Sequence, residues 1–373
     1  MKEIKVLHVG VDNIGHGGRS TVAFNLTDAM SSEQIKNDFL AEKKIDNVYE
    51  QKIKENNGEI VYLGNLSDNK IIRKVQRANR IVKVLKENKY DIVHIHGDDA
   101  WEVANTTILT KLAKIPNIIV HAHSSGNADQ GLIKKMLINL FRPVLNQKKY
   151  TKFAVTNEAA LYMYGSLKDV KVIRNGIHVE WYRYDANIRK EMRKILSLNP
   201  NFVIGCVARM TPVKNHYFLI DVFKKVLDME QNAKLVLVGN GELSDKIKEY
   251  VCKSNLESQV LFLGNRKDVS DIMQALDVFV LPSIHEGLGL VNIEAQSAGL
   301  PCVVSDGVPQ SAKVLDDFKF LSLKESKEKW AQEILKFKNF NRIDTTEKIN
   351  QAEYNIKDTA EIIGNIYLKL VTN

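Results

Sequence analysis

The sequence predicts an α/β protein whose strands alternate with helices and run parallel, in two domains. Three observations carry this. Residues 277–306 read as strand, glycine loop, helix and strand. The N-terminus repeats the same order, with an apolar run over 4–9 (IKVLHV) followed by Gly15, Gly17 and Gly18 and then a helical pattern. The chain is 373 residues long, about two domains by ordinary domain size.

The first of these stretches is the most informative. Residues 277–281 (DVFVL) form a short apolar run closed by Pro282, as a buried parallel strand requires. Residues 283–289 make a loop with two glycines. Residues 290–298 then have helical spacing, with Leu290, Ile293 and Ser297/Ala298 on one side, and Gly299 and Pro301 stop the helix. Residues 302–304 are the next strand, so the whole is a βαβ unit.

The rest follows in chain order. After the first glycine loop, Ser20 or Thr21 can cap a helix that buries Val22, Leu26 and Met30. Short strands are expected at 38–40 and 59–63. Residues 71–85 form a helix with Ile71/Ile72, Val75, Ala78, Val82 and Leu85 inward, and Lys70, Arg73, Lys74, Arg77, Arg80, Lys83 and Lys86 outward. Strands follow at 91–96 (DIVHIH) and 115–121 (IPNIIVH). Residues 129–149 carry a helical stripe of Leu132/Ile133, Met136/Leu137, Leu140/Phe141 and Val144/Leu145, flanked by Lys134, Lys135, Arg142, Lys148 and Lys149, with a kink at Pro143. Strands at 152–156 and 170–173 precede a turn at Asn175-Gly176. A new series begins at 202–208, with strands at 234–238 and 261–264. Residues 357–371 close the chain as a helix.

Composition narrows the function. The chain is 44% hydrophobic and 26% charged, which fits a globular protein. Its N-terminal apolar run is too short for a signal peptide, and no window approaches a membrane span. Three scattered cysteines, Cys206, Cys252 and Cys302, argue against a disulfide framework or a zinc site and suit a reducing cytoplasm. The net charge of +8 is unevenly placed. Residues 1–175 hold 27 Lys and Arg against 19 Asp and Glu, and the remainder holds 26 of each. The N-terminal half is therefore expected to meet an anionic partner: a membrane surface, a lipid diphosphate or nucleic acid.

Two clusters carry chemistry. Glu286 and Glu294 lie eight residues apart, with the amides of Gly287, Leu288 and Gly289 at the helix N-terminus between them. Such amides attract phosphate, and a carboxylate farther along can accept hydrogen bonds from ribose hydroxyls. Arg209 and Lys214 flank the loop after the 202–208 strand. Two cations there can neutralise the charge that builds on a departing diphosphate. Gly15-His16-Gly17-Gly18 does not make a dinucleotide fingerprint. His121 and His123 end a strand where open α/β sheets place ligands, and no carboxylate or cysteine completes a metal set beside them. No Asp-x-Asp stands at a strand end.

LPSIHEGLGLVNIEAQSAGLPCVVSD (281–306) and RMTPVKN (209–215) closely resemble the E-x7-E and R-x4-K signatures of retaining GT-B glycosyltransferases, family 4 or group 1. HAHSS at 121–125 is similar to the capsule and exopolysaccharide branch. The resemblance implies two Rossmann-like domains facing across a cleft. The N-terminal acceptor domain would span 1–174, with the helix at 357–373 packed back on it, and the nucleotide-sugar domain 175–356. It implies a hexosyltransferase that moves a sugar with retention from a nucleotide diphosphate, UDP above all, to a glycan or lipid-linked acceptor, with no metal or other cofactor. Arg209 and Lys214 would hold the diphosphate, with Glu286, Glu294 and the 287–289 amides binding the donor. His123 would lie near the donor sugar, and Gly17 and Gly18 near the diphosphate. Gly239, Asn265 and Arg266 would border the nucleotide. Relatives often have an acidic residue where Arg19-Ser20 stands here. The protein would be cytoplasmic, with the 129–149 stretch touching the inner face of the plasma membrane. Two rivals remain at this point. A nucleotide-sugar epimerase on a similar fold would not account for both signatures. A basic nucleic-acid-binding protein would need a recognition motif or basic–aromatic interleaving, and the sequence has neither.

Overall fold

The computed structural model describes residues 3–12, 14, 18–30, 32, 34–126 and 132–372. The chain divides into two compact units, Met1–Gly176 with Ile356–Asn373, and Ile177–Asn355.

The first unit contains β1 (Ile4–Val9), α1 (Gly18–Asp28), β2 (Ile35–Ala41), α2 (Asn47–Glu55), β3 (Ile60–Tyr62), α3 (Lys70–Asn88), β4 (Ile92–Gly97), α4 (Ala100–Leu112), β5 (Asn117–Ala122), α5 (Leu132–Leu145), β6 (Thr151–Ala154), α6 (Asn157–Tyr164) and β7 (Val170–Val172). Its seven strands are ordered β3-β2-β1-β4-β5-β6-β7 and pair in parallel. The second unit contains α7 (Val179–Tyr182), α8 (Ala186–Ile195), β8 (Phe202–Val207), α9 (His216–Met229), β9 (Ala233–Val238), α10 (Ser244–Lys253), β10 (Val260–Gly264), α11 (Val269–Ala275), β11 (Val278–Leu281), α12 (Leu290–Ser297), β12 (Cys302–Ser305), β13 (Phe318–Leu321), α13 (Lys327–Leu335) and α14 (Thr346–Gln351). Its six-stranded parallel sheet is ordered β10-β9-β8-β11-β12-β13. The last helix, α15 (Ile356–Thr372), belongs to the first unit.

Both orders reverse direction once, between β1 and β4 and between β8 and β11. At such a reversal the loops leaving the two strands diverge and open a crevice at the carboxyl ends. The two ends of the second switch point are the 208–215 and 282–289 loops. The strands read as continuous apolar runs because helices cover both sheet faces. In the first unit, Leu7, Val9, Val93, Ile95, Val120 and Ala122 pack under α3, α4 and α6. On the other face, Val6, Ile92, Ile119 and Phe153 pack against Ile356, Ile363 and Tyr367 of α15.

Two helices differ from expectation. In α3, Ile81 and Leu85 are buried, whereas Ile71, Ile72 and Val75 are exposed. The arginines expected outward turn to the protein. Arg73 and Arg77 both donate to the Glu42 carboxylate, at 2.7 and 2.5 Å, and Arg80 donates to the Leu63 carbonyl. Burial alone would raise the Glu42 carboxyl, but the two guanidiniums hold it below its ordinary value. A partly buried carboxylate needs such partners more than three exposed aliphatic chains need cover. In α5, Ile138 and Leu145 are buried while Met136, Leu137 and Leu140 are exposed. The expected stripe therefore splits between core and solvent. Helix α5 continues through Pro143 to Leu145. Residues 129–131 and the side chains of 132–134 lie outside the described residues.

Candidate active site

In the second unit the residues around the switch point are brought together by backbone ties. After β8 the chain runs through Arg209 and Met210 into a short 3-10 turn, Pro212–Lys214. The Val213 carbonyl accepts from the Ile284 amide at 2.7 Å, and Glu286 N–H donates to the Gly307 carbonyl at 2.9 Å. The first bond ties the 283–286 loop to the 3-10 turn and the second ties it to the turn after β12. Lys214 Nζ consequently forms an ion pair with Glu286 Oε1. Ser283 Oγ donates to the same carboxylate oxygen at 3.0 Å. The side chain of Glu286 is only 8% exposed and that of Lys214 22%. Arg209 stays exposed beside them.

Gly289 caps α12 with φ +64°, and a Cβ there would come within 2.7 Å of Asn292 Nδ2. An L side chain is disfavoured at such a position. Gly287 is exposed, and a Cβ there would meet nothing within 4 Å, so the loop is open at that residue. Leu288 is half-buried and packs on the core behind the loop. The amides at the start of α12 thus form the anion-attracting end of a helix.

Glu294 sits in the second turn of α12 and is hydrogen-bonded to Tyr182 of α7. The residue keeps a partly exposed edge, but its carboxyl lies deep. Burial pushes it up to about 7, against the opposing pull of the Tyr182 hydroxyl. Tyr182 is raised well above its ordinary value by burial and by the Glu294 charge.

The loops after β9 and β10 carry Gly239, Asn265 and Arg266. Gly239 N–H donates to the Gly264 carbonyl at 2.7 Å. A Cβ on Gly239 would stand 2.3 Å from the Ala208 carbonyl oxygen, so the close approach of β9 to the end of β8 requires glycine. Asn265 is exposed. Arg266 is bound back to Asp268 by two hydrogen bonds of 2.7 and 2.5 Å, so its guanidinium is already engaged.

The first unit holds a feature that sequence reading saw only in part. His8, His94, His96, His121 and His123 lie on one sheet face, because His8 is in register with His94 and His96 with His121. Their imidazoles form two hydrogen-bonded lines. One runs from Asn37 Oδ1 to His8 Nε2 (3.0 Å), from His8 Nδ1 to His96 Nε2 (3.0 Å) and from His96 Nδ1 to His123 Nε2 (2.9 Å). The other joins Tyr367 Oη to His94 Nδ1 (2.5 Å) and His94 Nε2 to His121 Nδ1 (3.2 Å). Burial lowers all five imidazoles, His8 to about 4 and His121 to about 3, and neighbouring imidazoles lower His94, His96 and His123 further. Their nitrogens could serve two three-histidine metal sets, His8-His94-His96 and His96-His121-His123. No carboxylate or cysteine joins His121 and His123 in these sets; the third nitrogen of the second set is that of His96, from the neighbouring strand. The missed signal was the alternation of DIVHIH and HAH together with His8 on β1.

Gly18 begins α1, and Gly17 lies outside the described residues. Arg19 forms an ion pair with Asp98 at 2.9 Å, so an acidic partner reaches this loop from the end of β4 instead of from the loop itself. A cavity of about 310 Å³ in the first unit is lined by Phe24, Thr27, Met30, Asn37 and Ile53 among others, and contains neither motif carboxylate. No helix among the described residues is long and apolar enough to cross a membrane.

Two doubly wound parallel units, one carrying a cation–carboxylate cluster at its switch point, define the GT-B class of transferase folds. The comparisons agree. The family described as "Glycosyl transferases group 1" matches residues 187–357, and "Glycosyltransferase Family 4" matches 16–181. The putative glycosyltransferase EpsF of Bacillus subtilis is 27% identical over 97% of this chain and 96% of its own. The UDP-Gal:alpha-D-GlcNAc-diphosphoundecaprenol alpha-1,3-galactosyltransferase of Escherichia coli is 32% identical over 66% of each chain. Among solved structures, Anabaena HepE in complex with UDP and glucose superposes with a TM-score of 0.71 over 100% of this chain and 98% of its own, at 17% identity, a likeness of fold. The chain belongs to the family 4, or group 1, glycosyltransferases and is an enzyme of that class.

Proposed function

We propose that this enzyme transfers a hexosyl unit, with retention, from a UDP-sugar to a glycan or lipid-diphosphate-linked acceptor in surface polysaccharide synthesis. The observation that carries the reading is the clamp of Lys214 on Glu286 at the β8/β11 switch point, with the exposed Gly287 in the same loop. In this reading Arg209 and Lys214 stabilise the departing diphosphate and the amides receive a phosphate. Glu294 accepts from the ribose, and Glu286 both orients Lys214 and contacts the donor. Gly239 and Asn265 border the nucleotide; Arg266 reaches it only by leaving Asp268. The sugar lies near His123. The similarity to the Escherichia coli enzyme, whose name states a UDP-galactose donor and a lipid-linked diphosphate acceptor, supports the choice of both substrates. No carboxylate is assigned as covalent nucleophile, and the leaving diphosphate takes the acceptor proton. Donor binding is proposed to be metal-free. The exposed Ile71, Ile72, Val75, Trp101, Met136 and Leu140 on the basic first unit support peripheral contact with an anionic membrane face.

The test is a thermal shift with UDP, GDP, ADP and TDP, each with and without EDTA. A ligand that binds only the folded chain raises the melting temperature. Stabilisation by UDP alone, indifferent to EDTA, is expected. No response to any diphosphate would refute the donor site. For the membrane, the chain is expected to float with anionic liposomes at low salt and not with zwitterionic ones.

A further inference from the structure

Helix α12 buries two side-chain amides one turn apart, Asn292 and Gln296, neither with any exposed surface. Gln296 is fully satisfied. Its Nε2 donates to the Asn292 and Ala312 carbonyls at 2.9 and 2.8 Å, and its Oε1 accepts from the Val314 and Leu315 N–H groups, both at 2.9 Å. Asn292 is not. Its Nδ2 donates to the Leu288 carbonyl over a long 3.4 Å, and its Oδ1 is buried with no hydrogen-bond partner among the described residues. An orphan buried oxygen is costly. Turning the amide over does not remove the cost, because Oδ1 would then face the Leu288 oxygen, acceptor against acceptor. A leucine branches at the same carbon and would carry no such cost. Packing therefore does not account for an amide at this position.

The geometry of the peptide shows what the amide does. The Leu288–Gly289 bond is trans, so the Leu288 C=O and the Gly289 N–H point to opposite sides of the peptide plane. Asn292 draws the carbonyl towards the core. The N–H is thereby turned the other way, towards the outside of the loop, and Gly289 is partly exposed. Glycine tolerates either orientation of this peptide, so Gly289 does not choose one by itself. The Asn292 amide also packs on Gly289, with Nδ2 2.7 Å from the place of an added Cβ, and Glu286 Oε2 lies 3.3 Å from the same point. A competing acceptor thus stands beside Gly289, yet the Gly289 N–H is hydrogen-bonded to no described residue. Resting on the UDP-sugar reading, we propose that Asn292 is a positioning residue whose carboxamide fixes the Leu288–Gly289 peptide so that the Gly289 N–H faces a phosphate oxygen of the donor. Asn292 itself, wholly buried, touches the loop and not the donor.

The test uses the full chain, Asn292→Leu and Asn292→Ala. Calorimetry measures UDP affinity, and urea unfolding measures stability. Labelling with ¹³C′-leucine and ¹⁵N-glycine selects the Leu-Gly pairs at 63–64, 263–264 and 288–289; the last is assigned by its loss in Leu288→Met. Saturating UDP should move the 288–289 correlation in the wild type. Both variants should bind UDP ~10-fold more weakly, as expected when one hydrogen bond to a charged oxygen is misplaced. Asn292→Leu should unfold at or above the wild-type urea midpoint, since the orphan oxygen is gone, and Asn292→Ala below it, since it leaves a cavity. Affinity that falls in both variants while stability moves in opposite directions separates positioning from folding. A folded variant that binds UDP as the wild type does overturns the proposal. So does a wild-type 288–289 correlation unmoved by bound UDP. Loss of the fold in both variants, read by circular dichroism, would make Asn292 structural and also overturns it. These failures all occur with a wild type that binds UDP; a wild type that does not bind refutes the donor reading itself, and this role with it.

Discussion

Acidification should unfold the first unit well before the second. The perturbation is a change from pH 7 to pH 5. The ordinary imidazole value is 6.5, and burial lowers His8 to about 4 and His121 to about 3. Below 6.5 the unfolded chain takes up protons that these folded imidazoles refuse. Stability is therefore lost as pH falls from 6.5 towards the folded values. At pH 5 the unfolded imidazole is 1.5 units below its own value, at ~1.4 kcal/mol per unit, so each ring costs about 2 kcal/mol. The two together remove about 4 kcal/mol, a large share of the ~5–15 kcal/mol that stabilises a domain. His94, His96 and His123 act in the same direction. Asp12 and Asp38, raised by burial, oppose them, but nearer the carboxylate range.

The second unit has a compensating pair. His216, buried and lowered to about 4, loses about 2 kcal/mol over the same interval. Glu294 is raised from 4.5 to about 7, so its folded carboxyl accepts a proton that the unfolded one releases. Lowering pH from 7 to 5 therefore stabilises the fold through Glu294 by up to about 2 kcal/mol, less whatever its partly exposed edge screens. The two nearly cancel. The assay is urea unfolding at pH 7 and pH 5, followed by hydrogen exchange of peptides from β4 and from β11. The β4 midpoint should fall steeply and the β11 midpoint hardly move. Equal shifts in both, or a β4 midpoint that stays in place, would refute the claim that burial holds the histidine face neutral.

Four further predictions concern the second unit. Arg209→Ala should cut turnover while leaving stability within about 0.5 kcal/mol, because Arg209 is exposed; a matching loss of melting temperature would show a structural role. Lys214→Ala should also cut turnover and should in addition destabilise the unit by ~1–3 kcal/mol, since it strands the nearly buried Glu286 carboxylate. The double variant Lys214→Ala/Glu286→Gln should recover part of that stability in a urea titration and none of the activity. Tyr182→Phe removes the hydroxyl that favours ionised Glu294; UDP binding by calorimetry should weaken most near neutral pH, and unchanged affinity would separate Glu294 from the nucleotide. Gly239→Ala forces a Cβ to within 2.3 Å of the Ala208 carbonyl at a φ of +121° and should cost ~1–3 kcal/mol in thermal unfolding.

The sequence by itself determined the α/β class and the family. Buried parallel strands are local apolar runs, and glycine loops with helix stops are local too, so DVFVL, EGLG and AGLP could be read in place. The E-x7-E and R-x4-K spacings were legible for the same reason: each lies within one strand–loop–helix segment. The tertiary structure decided what these residues meet. Lys214 reaches Glu286 only because β8 and β11 are neighbours, and Tyr182 reaches Glu294 only because α7 packs on α12. The periodicity of α3 named its apolar residues but could not rank them against Glu42, whose need for Arg73 and Arg77 turned Ile71 and Val75 to solvent. The five histidines were visible as letters on three strands or, for His123, just past the end of one. Their alignment depends on the β1/β4 and β4/β5 registers. A register is a property of two strands at once, so no single segment of the chain encodes it.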